Sequence, residues 1–520
     1  MAGDVGEPTL IRSSVTAHDN LWLPSLTAAL DRPLSARWCV FGWIASIGLF
    51  VALVGIFLGP STIDNQESTY STWAIAHGEV ACAYPSVTHP WEPPIAPLYP
   101  LLSSGIAAIA QIGHGVPFPS SATLGPGCRN GMSAMNHWSS RSGALVPTLW
   151  IGCVCWLALM AGVIAWLRTC GRGHRFWEPA TLLVVVSLLP VWMAVQSFFH
   201  PQDVLALGVA LLAMACARRD RWLLSGTLCA LAILSQQYAL LVAVPLFIVA
   251  PAAKKIPLLG SAVLTGVLVV LPLTVMTSGH ALHAIALGTG NYPYPGGTVL
   301  WETHASGAAG VALFRVAPIL VSIALSWWVV RRLDAAALEA VPLLALVAAS
   351  LGLRLVFEVN LIAYYFLAMA VSLVLLEATC GSIRRTTVAW LAILTVVICR
   401  ISMLPFGFTR WAAFLQNDIV PILIGGVAIL AVIRQLLGAG ERRVILTWMA
   451  VAVVVLFTLI PGGNRFSAGQ VVWFWQIVLV VPGMLLIIQP LRQRIRSSTG
   501  HGSREERTVS SPEPALTGGR

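Results

Sequence analysis

Long apolar runs recur along this chain, and the short turns between them are alternately rich in arginine and poor in it. Basic clusters fall at Arg168/Arg172/Arg175, Arg218/Arg219/Arg221, Lys254/Lys255, Arg331/Arg332, Arg384/Arg385, Arg442/Arg443 and Arg492/Arg494/Arg496. A run of about twenty apolar residues matches the thickness of a bilayer core, and cytoplasmic turns collect Lys and Arg. The alternation therefore predicts an all-α, polytopic transmembrane helix bundle with roughly 12–14 membrane segments and both termini inside. Composition agrees, since 57% of the residues are hydrophobic and only 10% charged, against about a quarter charged in soluble domains. The net charge of +10 would suggest nucleic acid in a soluble chain, but its placement in membrane turns argues against a nucleic-acid partner and for membrane lipids.

Within this frame the N-terminal residues 1–36 read as a cytoplasmic tail and Trp38–Leu58 as a retained first span. Residues 37–380 form the main transmembrane module, residues 381–490 add further helices, and residues 491–520 are a polar tail expected to be disordered. Trp222–Val249 begins and ends at basic clusters yet is too short for two full crossings. A pair of short helices turning at Ser235-Gln236-Gln237-Tyr238 satisfies both constraints.

The outward loop, residues 59–143, holds the candidate chemistry. It opens with Asp64 and Glu67, which share one face if the segment is helical. A water-exposed carboxylate there serves as a general base or a metal ligand, or is simply a solvated loop start. Tyr70, Trp73, Ala74 and His77 have the spacing of a short amphipathic helix lying on the membrane surface. Leu101–Ile112 is too short to span and reads as a second surface or re-entrant helix. Cys82 and Cys128 both fall in this loop, where an oxidising exterior permits a disulfide. Such a bridge would stabilise the loop by about 4 kcal/mol on the chain-entropy model; two separate thiols are the alternative.

Other polar groups are placed outward as well. His200 and Asp203, in His200-Pro201-Gln202-Asp203, suit a sugar hydroxyl or phosphate, or cap the following helix. Gln236, Gln237 and Tyr238 sit at the helix break, where amides satisfy freed backbone groups or bind substrate. Arg354 and Glu358 lie four apart, followed by Tyr364 and Tyr365; an arginine toward the membrane interior requires a partner. That partner is either Glu358 or a lipid-linked phosphate, for which Arg400, Arg410 and Arg465 are the other outward candidates. No Walker loop, dinucleotide-binding glycine pattern, zinc spacing or nucleophile elbow occurs.

The order of a first span, an outward loop opening with an acid, the stretch Asp64 to Glu79, the segment Pro97-Leu98-Tyr99-Pro100 and then short spans resembles the GT-C superfamily of integral-membrane glycosyltransferases. His200-Pro201-Gln202-Asp203, Leu234-Ser235-Gln236-Gln237-Tyr238 and Tyr364-Tyr365 are similar to bacterial members, nearest to the actinobacterial mannosyltransferase-like branch. The resemblance implies inverting transfer of mannose or a similar sugar from a polyprenyl-phosphate sugar donor to a lipid or glycan acceptor at the outer face of the plasma membrane. Asp64 would be the base. Many members carry adjacent Asp and Glu at the loop start, whereas here Asn65 follows Asp64, which leaves open whether Glu67 takes the place of the second acid and whether a divalent cation is needed. A transporter or flippase for a lipid-linked solute is the alternative function, and an inactive scaffold for envelope assembly a third.

Overall fold

The computed structural model describes residues 63–84, 96–114, 146–173, 201–282, 308–358, 365–381 and 479–496, with Thr387, Trp390, Leu391 and Leu394 singly. All regular structure among them is helical, with no strand. The helices are α1 (Ile63–Ala76), α2 (Val80–Ala83), α3 (Leu98–His114), α4 (Val146–Thr169), α5 (Pro201–Ala217), α6 (Trp222–Ser235), α7 (Leu240–Val249), α8 (Ala252–Met276), α9 (Ala308–Leu333), α10 (Ala340–Val356) and α11 (Phe366–Cys380). Residues 479–496 are also helical. The first span, the tails and the segments expected over residues 395–478 lie outside the described residues.

The helix break is where the sequence puts it. α6 ends at Ser235, a single 3-10 turn covers Gln237–Ala239, and α7 runs back. Gln236 adopts an extended backbone, and its side-chain oxygen accepts from the backbone N–H of Gln237. This local bond replaces a helical one and gives the Gln237 N–H a partner where the chain reverses.

Small residues decide how closely the central helices approach. A Cβ on Gly208 would stand 2.5 Å from the Ala158 carbonyl, and one on Gly162 would collide with the Gly208 carbonyl. A Cβ on Gly226 would meet the Leu258 carbonyl and the Ser261 hydroxyl. α4 therefore lies backbone to backbone on α5, and α6 does so on α8, the small-residue packing favoured where apolar burial does not drive association. The core between them is aliphatic and aromatic, with Trp156, Trp166, Leu159 and Met160 fully enclosed.

Side-chain bonds fix the direction of each helix. Lys254 pairs with Asp220 at 2.9 Å, so α6 and α8 start at the same end. Arg218, just past α5, reaches Thr169 at the end of α4, and Trp166 of α4 reaches Thr379 of α11. Arg494 meets Glu339 at the start of α10. The described basic clusters consequently gather at one end, with Arg315 and Arg354 as the exceptions. α4 and α5 close there in similar fashion: Gly171 and Asp220 take left-handed φ values of 69° and 58°. The next N–H then returns to a carbonyl five residues back, Arg172 to Leu167 and Arg221 to Cys216.

Two helices, Ala252–Met276 and Ala309–Leu333, are long and apolar enough to cross a membrane, and only 11% and 17% of their apolar windows are buried. Ile256, Leu264, Leu268, Val275, Leu313 and Leu320 stand out among their exposed apolar side chains. An uncovered apolar surface of that length suits lipid better than water.

Candidate functional site at the end opposite the basic clusters

α1 begins at Ile63, earlier than the Tyr70–Glu79 expected, and carries Asp64 and Glu67 in its first turns. Its apolar side does not lie on a membrane. Tyr70, Trp73 and Ala74 are buried with Val80, Cys82, Ala83 and Tyr84 against Leu273 and Ala281, at the end of α8 away from Lys254. The spacing was helical, but the apolar stripe found protein, because residues 80–84 and the end of α8 pack over it. Tyr70 stacks on Trp73 with centroids 6.1 Å apart, and the exposed His77 ring lies 5.1 Å from Trp73. Thr72 and Ser103 share a 2.6 Å hydrogen bond that fastens α1 to α3. α3 in turn packs against α4 and α6. Burial pushes the phenols of Tyr84 and Tyr99 above their ordinary range, so both remain neutral. Cys82 is disulfide-bonded, while Cys128 lies outside the described residues, as do His200 and Tyr364.

The second set of polar residues converges on one place. Asp203, in the first turn of α5, is 3% exposed. Its carboxylate accepts from the Gln236 amide at 3.3 Å, and its backbone carbonyl accepts from the Tyr238 hydroxyl at 2.6 Å. Asp203 thus stands in the first turn of α5, as the capping reading places it, and it also anchors the helix break. Gln236, rather than Gln237, enters the cluster. The Gln237 side chain is exposed, because the one-residue extended kink at Gln236 turns the next position outward.

Arg354 closes the group. Its Nε donates to Glu358 at 2.9 Å, and the two side chains keep 16% and 17% of their surface open. The guanidinium lies 4.9 Å from the centroid of Tyr238 and 4.3 Å from that of Tyr365. Stacking and the ion pair hold the plane in one orientation. Among the described residues its two terminal nitrogens donate to no group. The ion-pair and phosphate readings are therefore compatible, since Glu358 occupies only the Nε side. What the cluster presents is the terminal fork of a pre-oriented guanidinium, the arrangement that binds phosphate or carboxylate through two parallel hydrogen bonds.

The part of this site that sequence reasoning missed is the contact of Tyr238, in the 3-10 turn before α7, with Arg354 in the last turn of α10, which joins positions more than a hundred residues apart. Among the described residues no three His, Cys, Asp or Glu side chains form a cation site. No protein-family model matches the chain, and no curated protein matches it.

Proposed function

We propose that the chain is a polytopic membrane glycosyltransferase of the GT-C type, moving a sugar from a polyprenyl-phosphate donor to a lipid or glycan acceptor at the outer face. The observation that carries this reading is Arg354, its guanidinium carbon over the rings of Tyr238 and Tyr365, Nε paired to Glu358 and its terminal nitrogens donating to no group among the described residues. It stands at the end opposite the basic clusters, which the positive-inside rule makes the outer end. The helix bearing Asp64 and Glu67 is docked toward the same end through Leu273 and Ala281.

In this mechanism Asp64 takes the proton from the acceptor hydroxyl as its oxygen attacks the anomeric carbon. The bond to the phosphate oxygen breaks, and the leaving phosphate gains negative charge that the Arg354 fork stabilises. Glu358 and Asp203 both lie within electrostatic reach of Arg354. The cluster therefore carries no surplus of positive charge.

Two variants test the reading in purified protein with a polyprenyl-phosphate sugar and a lipid acceptor. Asp64→Asn should keep donor binding and lose transfer by roughly a hundredfold to ten-thousandfold, the usual range for a general base. Arg354→Lys keeps the charge but loses the fork, and donor binding should weaken by roughly tenfold. Near-normal transfer by Asp64→Asn would overturn the mechanism. Label crossing the membrane without any sugar transfer would favour the transporter alternative.

A further inference from the structure

At the opposite end, α4, α5 and α11 finish in a cluster of cations that the transfer chemistry does not use. Arg168, Arg172, Arg218, Arg219 and Arg221 all lie at the ends of α4 and α5. Their one acidic neighbour in the turn, Asp220, is engaged by Lys254 at 2.9 Å and by the Trp222 indole N–H at 2.6 Å. The macrodipole of α4 supplies only about half a negative charge, so the arginines outweigh every negative group described around them.

Arg218 is the ordered member of this cluster. Its guanidinium lies over the Trp166 ring at 5.5 Å, and Nη1 donates to the Thr169 hydroxyl at 2.9 Å and to the Cys170 sulfur at 3.2 Å. Trp166 is itself pinned by its indole N–H to Thr379 at 3.1 Å and is fully buried. Arg218 makes no ion pair, and its Nε and Nη2 donate to no group among the described residues. A half-buried, immobilised cation with uncommitted donors, placed where apolar helices end, fits an anion that arrives with an apolar body.

We propose that this rim binds the phosphodiester headgroup of an anionic phospholipid from the inner leaflet, with Arg218 as the principal ligand and the exposed Arg219 and Arg221 adding long-range attraction. The proposal rests on the reading of the chain as a membrane protein and is independent of its transfer chemistry.

The test uses the full chain purified in neutral detergent. Phosphatidylglycerol, phosphatidylcholine and inorganic phosphate are titrated separately, and native mass spectrometry and thermal unfolding are read. Phosphatidylglycerol should give discrete adducts and raise the unfolding temperature, while phosphatidylcholine and inorganic phosphate should do neither. Arg218→Gln should lower phosphatidylglycerol occupancy by about tenfold, as expected for losing a charge-assisted hydrogen bond, whereas Arg315→Gln at the other end should leave it unchanged. If Arg218→Gln does not fold, Arg218→Lys takes its place, with at least a threefold loss expected. Equal phosphatidylglycerol binding by the Arg218 variant would overturn the assignment, and so would equal stabilisation by inorganic phosphate or phosphatidylcholine. Recovery of the protein in the soluble fraction would overturn the membrane reading itself.

Discussion

Arg354 shows how one side chain can serve structure and binding together, because its Nε and its terminal nitrogens face different partners. Glu358→Ala removes only the first partner. The guanidinium keeps its two tyrosine rings but loses its orientation along the plane, so donor affinity should fall less than in Arg354→Lys, and a direct binding titration separates the two. Asp220 is a purely electrostatic case. Hydrogen bonds from Lys254 first, and then Trp222, hold its carboxyl below the usual carboxylate range. A depressed carboxylate contributes stability that is present above its unfolded pKa of about 3.9 and is lost as pH falls through the lower folded value. Unfolding followed from pH 6 to pH 3 should therefore show a small acid-dependent loss that Asp220→Asn abolishes. Asn is the suitable probe, since it tolerates the left-handed backbone at this position.

Among the helices, packing distance is set by the glycines between α4 and α5. Gly208→Val would force a side chain into the Ala158 carbonyl, and backbone cannot yield as a flexible side chain does. The expected loss is about 1–3 kcal/mol or more, read as a lower unfolding temperature in detergent. Gly266 in α8 supplies the contrast, since a Cβ there meets nothing within 4 Å. Gly266→Ala should stabilise by about 0.5–1 kcal/mol through helix propensity. α1 and α2 form a separate small core held to α8 by Leu273 and Ala281, and Cys82 within it is disulfide-bonded. Reduction should loosen this unit before the central helices, so proteolysis with and without reductant should first cut residues 63–114. Uniform protection under reductant would show that the bridge is not what secures the loop.

Across the whole molecule, the described charges divide into a basic end and an opposite end holding Asp203, Gln236, Tyr238, Arg354 and Glu358. If the basic end is cytoplasmic, reporters fused at Arg172 or Arg442 should score inside and those at Ser86 or Gly290 outside. A cytoplasmic signal from Ser86 would put Asp64 on the wrong side for an outer-face donor. The exposed apolar faces of α8 and α9 lead to a matching expectation: the protein should stay in the membrane fraction after a high-salt or alkaline wash, which strips electrostatically bound proteins.

The sequence by itself determined the helical class, the division of charge and the break at Ser235 to Tyr238. Each is a local matter of apolar period, arginine placement and chain length between fixed ends, so each is legible in a window of a few turns. It also placed Arg354 near Glu358, because four residues of separation keep two long side chains within reach even though Glu358 lies just past the end of α10. Only the tertiary structure decided that Gln236 and not Gln237 meets Asp203, since one extended residue reverses which side chain faces inward. Only it showed that Tyr70 and Trp73 bury against α8 rather than lie on lipid, as periodicity reveals an apolar face but not what covers it. The meeting of Arg354 with Tyr238 likewise depends on segments far apart in the chain, whose approach is set by packing that no local pattern encodes.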